Sequence, residues 1–426
     1  MPLAPSFAGT PAAVPTTPAA TVPRACRDVL SLDDFERLAR RHLPRPLYAY
    51  ISGAVEDNLA LAGNRQAFAD LALRPRVLTG VAQRHLEFEL FGRRYTAPFG
   101  IAPMGISALS AYRGDIVQAQ AAQQAGVPAI MSGSSLIRLE DVMAAAPGTW
   151  FQAYLPGDLA QIHGLLDRVE AAQVQTLVIT VDTPVAANRE NNVRAGFSTP
   201  LRPSLGLAWQ GLTHPRWLLG TFLKTLLRHG MPHFENGYAH RGAPILSPNV
   251  LRDFSDRAHL DWTHLAAIRR RWRGHLVVKG ILAPEDALLA REHGADGLIV
   301  SNHGGRQLDG AVAPLRVLPG IVRAVPELPV MLDSGVRRGT DVIKALALGA
   351  RCVFVGRPFN YAASVASAAG VAHAIALLRA EVSRDMAMLG VTRLADITPA
   401  CIRPAKAWDA PVPGASFPAV PLETHP

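Results

Sequence analysis

The chain has 426 residues, of which 49% are hydrophobic and 18% charged, and its 43 basic against 34 acidic residues give a formal net charge of +9. This composition excludes a disordered chain, and the length allows one large domain or two ordinary ones. The arginines are scattered and not interleaved with aromatic residues, which argues against nucleic acid as a partner. An anionic small molecule or a lipid surface fits the same charge.

Both ends of the chain are predicted to lie outside the packed domain, which covers residues 29–403. Residues 1–28 are a Pro- and Ala-rich arm and residues 404–426 a Pro-rich tail, with the composition of disordered segments. The arm lacks the features of a secretory signal, and no run of about 18 apolar residues predicts a spanning helix. The three cysteines have no metal-ligand spacing, so we expect no metal site and a reducing, cytoplasmic environment.

The first packed element is predicted to be a helix that begins after Ser31. Ser31 is a suitable N-cap, two aspartates follow it in the first turn, and Pro44 ends the pattern just after His42. The next segment brings Tyr50 close to a break at Gly53. The pattern leaves open whether Tyr50 packs in the core or points into a site.

From Pro98 onward, short apolar runs alternate with amphipathic helical stretches, several of which end in glycine. Such alternation predicts an α/β fold, and eight repeats predict a (β/α)8 TIM barrel with an N-terminal helical segment and a long insertion, about residues 198–258, after the fourth strand. An open doubly wound sheet is less favoured, because no Gly-x-Gly-x-x-Gly motif follows an early strand. The eight runs are Phe99–Ala102, Pro128–Met131, Trp150–Tyr154, Leu177–Val181, Leu276–Val278, Leu298–Val300, Val330–Leu332 and Val353–Val355.

Polar or backbone-exposing residues stand at the ends of these predicted strands, the face where barrel enzymes carry their chemistry. They are Pro103, Met104 and Gly105, then Ser132, Gln152, Tyr154, Thr180, Asp182 and Lys279, and after the last three strands Ser301 to Gly310, Asp333 to Arg337, and Gly356 with Arg357. The loops after strands seven and eight are the usual phosphate position, and there Arg337 and Arg357 accompany glycines. The alternative is that these arginines are exposed in ordinary turns.

The loop from Ser301 to Gly310 combines a base with an anion anchor. His303 can accept a proton near neutral pH, and Arg306 can bind a carboxylate through two parallel hydrogen bonds. Two intervening glycines allow a sharp turn, so that both side chains can face one cavity. The alternative is a polar turn in which His303 has no chemical role.

Five segments together resemble one family: Thr180–Pro184, Val278–Gly280, Ser301–Asp309, Leu332–Asp341 and Lys344–Ala350. The sequence is similar to the FMN-dependent α-hydroxy acid dehydrogenases and oxidases, a family that includes glycolate oxidase, L-lactate dehydrogenase and mandelate dehydrogenase. The resemblance runs from Ser31 to Ile402 with the motifs in the same order. It implies FMN as the cofactor and a 2-hydroxy acid as the substrate.

The resemblance also implies a role for each candidate residue. His303 would be the active-site base, Asp182 would stabilise its imidazolium, and Lys279 would stabilise the reduced flavin at its N1–C2 edge. The implied substrate contacts are Tyr50, Tyr154, Arg189, Arg306 and His303, with Tyr154 also among the catalytic residues. The further implied FMN contacts are Ala102, Pro103, Met104, Gly105, Ser132, Gln152, Thr180, Ser301, Asp333, Ser334, Gly335, Val336, Arg337, Gly356 and Arg357.

The implied reaction is oxidation of an L-2-hydroxy acid to the 2-keto acid, by hydride transfer or through a carbanion. Gly105 stands where oxidase members tend to have alanine, which favours a quinone or another non-oxygen acceptor; the alternative is an oxidase that makes hydrogen peroxide from O2. Ser134 stands where glycolate oxidase has tryptophan, which predicts room for a larger substrate side chain. Rival readings are another FMN barrel, such as an isopentenyl diphosphate isomerase, and a non-catalytic barrel.

The insertion contains an apolar stretch from Trp217 to Leu227, with Arg216, Lys224 and Arg228 beside it. It resembles the segment that attaches mandelate and lactate dehydrogenases to the membrane, and an apolar face with basic residues suits an anionic lipid surface. The implied location is therefore the cytoplasm or the inner face of the cell membrane. The alternative is a lid helix packed on the barrel or on another subunit. The resemblance also implies a homo-oligomer, most often a tetramer.

Overall fold

The structure is a computed structural model that describes residues 22–198, 202–247 and 257–406. Within these ranges the strands, in chain order, are β1 (Leu71–Leu73), β2 (Phe88–Leu90), β3 (Arg93–Tyr95), β4 (Phe99–Ile101), β5 (Ile130–Ser132), β6 (Trp150–Ala153), β7 (Thr176–Thr180), β8 (His275–Ile281), β9 (Gly297–Val300), β10 (Val330–Leu332), β11 (Val353–Val355) and β12 (Ile402–Pro404). Strands β4 to β11 match the eight predicted runs to within a few residues at their ends.

These eight strands form one parallel sheet in the order β4-β11-β10-β9-β8-β7-β6-β5. The two edge strands meet as well, because Ile101 bridges to Ala129 in parallel and its N–H donates to the carbonyl oxygen of Pro128 at 2.9 Å. The sheet therefore closes into a barrel. The predicted fold class is confirmed, and the open doubly wound alternative is wrong.

The strands are apolar throughout because both of their faces are buried. Alternate residues such as Val178, Val277 and Ile299 fill the barrel interior together with Trp150 and Phe354. The other face of each strand packs against the helices outside the barrel. The β2–β3 hairpin contributes Phe88, Leu90 and Tyr95 to the interior cluster and so closes the amino-terminal end of the barrel. The open end is the one where the strands finish.

The α-helices within the described ranges lie between and around these strands. They are α1 (Leu32–His42), α2 (Arg45–Ser52), α3 (Leu59–Ala69), α4 (Ser107–Ser110), α5 (Gly114–Ala125), α6 (Leu139–Ala145), α7 (Leu159–Ala171), α8 (Glu190–Arg194), α9 (Leu205–Thr213), α10 (Pro215–Trp217), α11 (Lys224–His229), α12 (Trp262–Arg271), α13 (Pro284–Glu292), α14 (Pro314–Ala324), α15 (Gly339–Ala347) and α16 (Arg357–Leu389). The first begins as predicted, since Ser31 and Asp34 form a capping box.

Helix α16 is long and apolar enough to cross a bilayer by composition, and it is the one such helix among the described residues. It is broken at Ala366 and Ser367, where the backbone leaves helical geometry. It also packs against α1 and α5 and buries half of its most apolar window. We therefore assign it to the layer of helices packed around the barrel.

The insertion after β7 carries α9, α10, a π-helical stretch (Leu218–Leu223) and α11. Trp217 is buried, and its indole N–H donates to the carbonyl oxygen of Leu109 at 2.7 Å, so this end of the predicted apolar surface packs on the barrel. Leu219 and Leu227 remain exposed, as expected. The prediction of an apolar surface from Trp217 to Leu227 is therefore only partly correct, because Trp217 packs on the barrel.

The described residues that border the predicted arm and tail pack more closely than the composition indicates. A 3-10 turn at Arg24–Cys26 buries Cys26, and β12 pairs antiparallel with β1, joining the carboxyl-terminal segment to the amino-terminal one. Most of the predicted arm and tail, residues 1–21 and 407–426, lie outside the described residues. The domain boundaries therefore stay predictions.

Candidate active site

A cavity of about 570 Å³ opens at the carboxyl ends of the barrel strands. This volume lies within the roughly 300–1,000 Å³ of sites that enclose an organic ligand. Most of the predicted site residues line it: Tyr50, Ala102, Pro103, Met104, Gly105, Gln152, Tyr154, Thr180, Arg189, Lys279, His303, Arg306, Asp333, Ser334, Gly335, Val336, Arg337, Gly356 and Arg357. The three others lie directly behind this lining, since Ser132 bonds to Gln152, Asp182 to His303, and Ser301 to Lys279.

His303 is held in one orientation at the start of the loop after β9. Its Nδ1 lies 2.8 Å from Oδ1 of Asp182, and its Nε2 faces the cavity 3.4 Å from the hydroxyl of Tyr154. Its backbone is left-handed, with φ of 58°, and its N–H donates to Oγ of Ser301 at 3.0 Å. Because Nδ1 faces a carboxylate, the nitrogen that can exchange a proton with a ligand is Nε2.

The ionisation of this pair follows from its surroundings. Burial lowers the pKa of His303, and the nearby Lys279 and Arg189 cations lower it further, although Asp182 opposes them. Burial would raise the pKa of Asp182, but the charges of His303 and Lys279 outweigh burial and hold it below its usual range. At neutral pH the imidazole is therefore a free base next to an ionised carboxylate.

A glycine at the end of β8 makes the approach of Asp182 possible. A β-bulge between Lys279 and Ile281 places Gly280 at φ of 113°, and a Cβ there would lie 2.7 Å from Cβ of Asp182. A side chain at Gly280 would therefore collide with the partner of His303 and also strain the backbone.

Lys279 is a buried ammonium, only 3% exposed, at the wall of the cavity. Its Nζ lies 3.1 Å from Oδ2 of Asp333 and donates to Oγ of Ser301 at 2.9 Å. Burial alone would lower the pKa of Lys279, but the carboxylates of Asp333 and Asp182 outweigh burial and raise it. The side chain stays charged and can stabilise negative charge on a ligand.

Two arginines lie beside His303. Nη1 of Arg306 donates to the carbonyl oxygens of Tyr50 at 2.7 Å and Gly53 at 2.8 Å, and its guanidinium stacks on the Tyr50 ring. Burial lowers the pKa of Arg306 to about 10, so it remains charged at neutral pH. Arg189 donates to the carbonyl oxygen of Arg306 at 3.2 Å and to Oε1 of Gln307 at 2.5 Å. Both guanidiniums are thus positioned before a ligand arrives.

Arg357, like Arg306, is held by backbone carbonyl groups. Its guanidinium donates to the backbone carbonyl oxygens of Ile51, Gly53 and Gly304 at 2.9, 2.9 and 3.0 Å. Arg357 lines the cavity, and its bonds join the end of α2 and Gly53 to the loop that carries His303. Direct phosphate binding by its side chain stays a prediction. Arg337 and the Gly335 turn, with φ of 91°, lie at the same end of the cavity.

The sequence did not identify Asn64, whose side chain is hydrogen-bonded to the loop that carries His303. The amides of Asn64 and Asn302 bond to each other reciprocally at 2.9 and 2.7 Å, and both residues are buried. Oδ1 of Asn302 also accepts the N–H of Gly305 at 3.1 Å. A lone asparagine in a helix gives no sequence signal for such a pair.

Arg257 was also missed, because it lies in the insertion and outside any motif. Its guanidinium lies over the ring of Tyr154, 4.5 Å from the ring centroid, and it lines the cavity. The aromatic wall formed by Phe197 and Phe234 was likewise not anticipated. The insertion therefore helps to shape the cavity.

Two polar atoms in the wall point to a ligand. Within the described residues, Nε2 of Gln152 and Oγ1 of Thr180 are buried and have no hydrogen-bond partner. Buried polar groups are nearly always paired, so a ligand with acceptor atoms would complete both. The ring nitrogens and carbonyls of the FMN implied by the resemblance are such acceptors, and the cationic cavity suits its phosphate. The residues present therefore fit FMN.

Comparison with known proteins agrees with this reading. The family described as FMN-dependent dehydrogenase matches residues 39–404 of the chain. An L-lactate dehydrogenase of Azorhizobium caulinodans is 38% identical over 375 residues, which cover 87% of this chain and 97% of that protein.

Solved structures are similar over the same region. A monotopic membrane protein, (S)-mandelate dehydrogenase, superposes with a TM-score of 0.81 at 33% identity and covers 89% of this chain and 100% of its own. A mandelate oxidase in complex with (S)-2-phenylpropionate has a TM-score of 0.72 at 33% identity and covers 86% of this chain and 96% of its own.

The unpaired hydroxyl of Thr180 gives a test of the cofactor site. Thr180→Val should leave the stability of the apo-protein unchanged or slightly higher, because it removes an unsatisfied buried group. It should weaken FMN binding by about 2- to 13-fold, since a hydrogen bond contributes about 0.5–1.5 kcal/mol. Urea unfolding of the apo-protein and fluorescence titration with FMN measure the two effects. Thr176→Val, at the other end of β7, is the control and should not change FMN affinity.

Proposed function

Because the chain belongs to the family of FMN-dependent dehydrogenases, we propose that its strand-end cavity oxidises L-2-hydroxy acids with His303 as the base and passes the electrons to a quinone. FMN-dependent oxidation of 2-hydroxy acids is the activity of the family, and the chain is an FMN-dependent L-2-hydroxy acid dehydrogenase. The observation that carries the residue assignment is that the hydrogen-bonded His303–Asp182 pair lies at the same cavity as Arg189 and Arg306.

The substrate carboxylate binds first to the cations of the cavity. Arg189 and Arg306 present guanidiniums on the same side as Nε2 of His303, and a carboxylate accepts two parallel bonds from a guanidinium. The hydroxyl of Tyr50 lies at the same wall, and the raised pKa of Tyr154, caused by burial, keeps its hydroxyl protonated and able to donate. These contacts fix which hydrogen of the substrate faces His303.

Oxidation removes two electrons and two protons from the 2-hydroxy acid. Bound FMN supplies the two-electron acceptor, which no side chain of the chain can provide. Nε2 of His303 takes one proton, and the ionised Asp182 stabilises the imidazolium that results. The second hydrogen would leave with the electron pair in the hydride route and from the hydroxyl group in the carbanion route. The ammonium of Lys279, which lines the cavity, would stabilise negative charge on the bound cofactor. The hydride and carbanion routes place the same demands on these groups.

The proposed acceptor is a quinone. The support for it is Gly105, which stands where oxidase members of the family tend to have alanine. A Cβ at Gly105 would lie 3.2 Å from both Cβ of Ser134 and the hydroxyl of Tyr50, so glycine keeps this wall open. The structural relatives include both a dehydrogenase and an oxidase. Peroxide formation from O2 is therefore the competing outcome.

The proposed substrates have side chains larger than a methyl group. Ser134 lines the cavity with a small side chain, and the aromatic residues Phe197 and Phe234 lie on the same cavity. An apolar wall of this kind stabilises an aryl or long alkyl group through buried area. This proposal concerns specificity and is independent of the assignment of His303.

One anaerobic experiment tests acceptor and substrate together. Holoenzyme is mixed with glycolate, L-lactate, L-mandelate and a long-chain L-2-hydroxy acid, and loss of flavin absorbance is followed. We expect fastest bleaching with the larger substrates and reoxidation by a soluble quinone at least about tenfold faster than by air. Efficient use of glycolate with exclusion of mandelate would contradict the roomy cavity, and stoichiometric peroxide would show an oxidase.

Ser134→Trp is the matched variant for that experiment. The indole would fill the space opposite Gly105, so the rate with mandelate should fall by about 10–200-fold, the range for steric discrimination in an apolar pocket. The rate with L-lactate should change much less. Equal losses for both substrates would mean that Ser134 does not line the side-chain pocket.

His303→Gln tests the base directly. Glutamine keeps the hydrogen-bonding capacity but cannot accept a proton at neutral pH, so the variant should retain bound FMN and lose about 10²–10⁴-fold in flavin reduction by substrate. Photoreduction of its flavin should be normal. His293→Gln, at a histidine outside the cavity, is the control. Reduction by substrate at the wild-type rate would remove His303 from the mechanism.

Membrane attachment through the insertion is part of the same proposal. Leu205, Trp209 and Leu212 share one face of α9 and are 92%, 64% and 65% exposed. The exposed Arg216 and Arg228 lie on the same insertion and attract anionic lipid. One structural relative is described as a monotopic membrane protein, which supports this reading. The enzyme would then act at the cytoplasmic face of the membrane, where a lipid-soluble quinone is accessible.

Replacing Leu205, Trp209 and Leu212 together by serine should release the enzyme from vesicles. Co-sedimentation with vesicles that contain anionic lipid should fall at least about tenfold, while turnover with a soluble quinone stays unchanged. Met388→Ser, 73% exposed on α16, is the control for loss of a surface apolar residue. Equal sedimentation of variant and wild type would exclude this face as the anchor.

The proposal has two further parts. The enzyme acts as a homo-oligomer, with a tetramer as the expected state from the family resemblance. Residues 29–403 make up the catalytic unit, and the arm and tail play no part in the reaction.

A further inference from the structure

Asp115 is a buried carboxyl group that the reaction above does not use. It is the second residue of α5, the helix that follows β4, and it is 7% exposed. A charged carboxylate in such a position needs a cation or several hydrogen bonds to offset its lost hydration. Asp115 is not among the residues that line the large cavity.

A second, much smaller cavity of about 20 Å³ lies beside Asp115. Asp115 and Gln118 line it from the helix, and Ala102, Met104 and Ser132 line it from the barrel. Ala102 and Met104 also line the large cavity, and Ser132 bonds to Gln152, which lines it. The small cavity is therefore separated from the flavin site by a single layer of side chains, and it has room for one water molecule.

The polar atoms without partners at this small cavity are all acceptors. Within the described residues, Oδ2 of Asp115 and Oε1 of Gln118 are buried and have no hydrogen-bond partner. Two acceptors cannot satisfy each other, and the hydroxyl groups of Ser107, Ser132 and Thr149 in the lining donate to other oxygens. A water molecule, or a proton on the carboxyl group, would supply a donor.

The surroundings of Asp115 do not fix its charge. Its pKa is raised to about 7 by burial, and the Ser135 hydroxyl and the backbone N–H of Asp115 itself oppose burial only in part. No charged side chain of the described elements contributes to this shift, whether from α5, the loop after β5 or the strands. The peptide dipoles at the start of α5 also favour the carboxylate and so act against burial.

We propose that Asp115 is a redox-linked proton site. It binds a proton from solvent when the flavin in the large cavity, on the other side of Ala102, Met104 and Ser132, is reduced. The inference rests on FMN occupying the large cavity. Reduction adds negative charge to the flavin, and a nearby negative charge disfavours a carboxylate. The water in the small cavity would carry the proton to Oδ2 of Asp115.

The chemical balance is simple. Reduction places two electrons and one proton on the flavin, which adds one negative charge there, and the carboxylate of Asp115 gains a further proton from solvent through a new O–H bond. When the flavin passes its electrons to the acceptor, the proton returns to solvent. Asp115 thus offsets part of the charge that Lys279, already paired with Asp333, does not neutralise.

Infrared difference spectroscopy on the wild-type holoenzyme tests the proposal without any substrate. The flavin is reduced photochemically near pH 7, and we expect a new carbonyl band of a protonated carboxyl group that is lost in Asp115→Asn. Proton uptake, measured with a pH indicator on reduction, should be greatest near pH 7 and should be smaller in the variant.

Asp167→Asn removes an exposed carboxylate of the same charge on α7 and should leave both signals unchanged. If Asp115→Asn does not fold, absence of a carboxyl band from the wild-type spectrum still overturns the proposal. Absence of a carboxyl band on reduction, or the same band and the same proton uptake in Asp115→Asn, overturns the proposal. Absence of bound flavin would instead contradict the cofactor assignment itself.

Discussion

Burial of several positive charges around one cavity is the constraint on which the rest of the structure depends. Cationic side chains in the lining outnumber anionic ones six to two. Burial is costly enough to lower the pKa of Arg306 to about 10 and that of Arg357 to about 9. Lys279 keeps a raised pKa because Asp333 and Asp182 offset its burial. The phosphate of the cofactor and the carboxylate of the substrate would supply the negative charge that the cavity lining lacks.

Backbone carbonyl groups hold two of these cations in place. Arg306 and Arg357 both donate to the carbonyl oxygen of Gly53, and Arg357 also reaches Ile51. These hydrogen bonds therefore hold the end of α2 and Gly53 against the loop after β9, although some 250 residues separate the two in the chain. Asp309 strengthens this connection by accepting the N–H of Ala60 at the start of α3. The amino-terminal segment is thus a wall of the active site, and the position of Tyr50 follows from these bonds.

The barrel and about half of the residues that line the cavity could be predicted because their signals are local. Continuous apolar runs reflect strands buried on both faces, and glycines such as Gly126 end helices through a left-handed turn. The contacts that orient the site are not local. Asn64 bonds to Asn302 across 238 residues, and Arg257 reaches Tyr154 from the insertion. Trp217 could not be assigned correctly, because an apolar helix has the same sequence pattern whether it packs on a barrel or on lipid.

The insertion carries both the proposed lipid-binding surface and part of the cavity wall. Trp217 anchors the insertion to the barrel near α4, while α9 presents its apolar face to the outside. The same insertion provides Phe234 and Arg257 to the cavity wall. One segment therefore touches both the substrate side of the cavity and the proposed lipid surface. A lipid-soluble quinone leaving that surface would meet the cavity at its open end, where the β2–β3 hairpin does not block the barrel. The shape of the fold, with one closed end and one open end, thus allows substrate and acceptor to use the same face in turn.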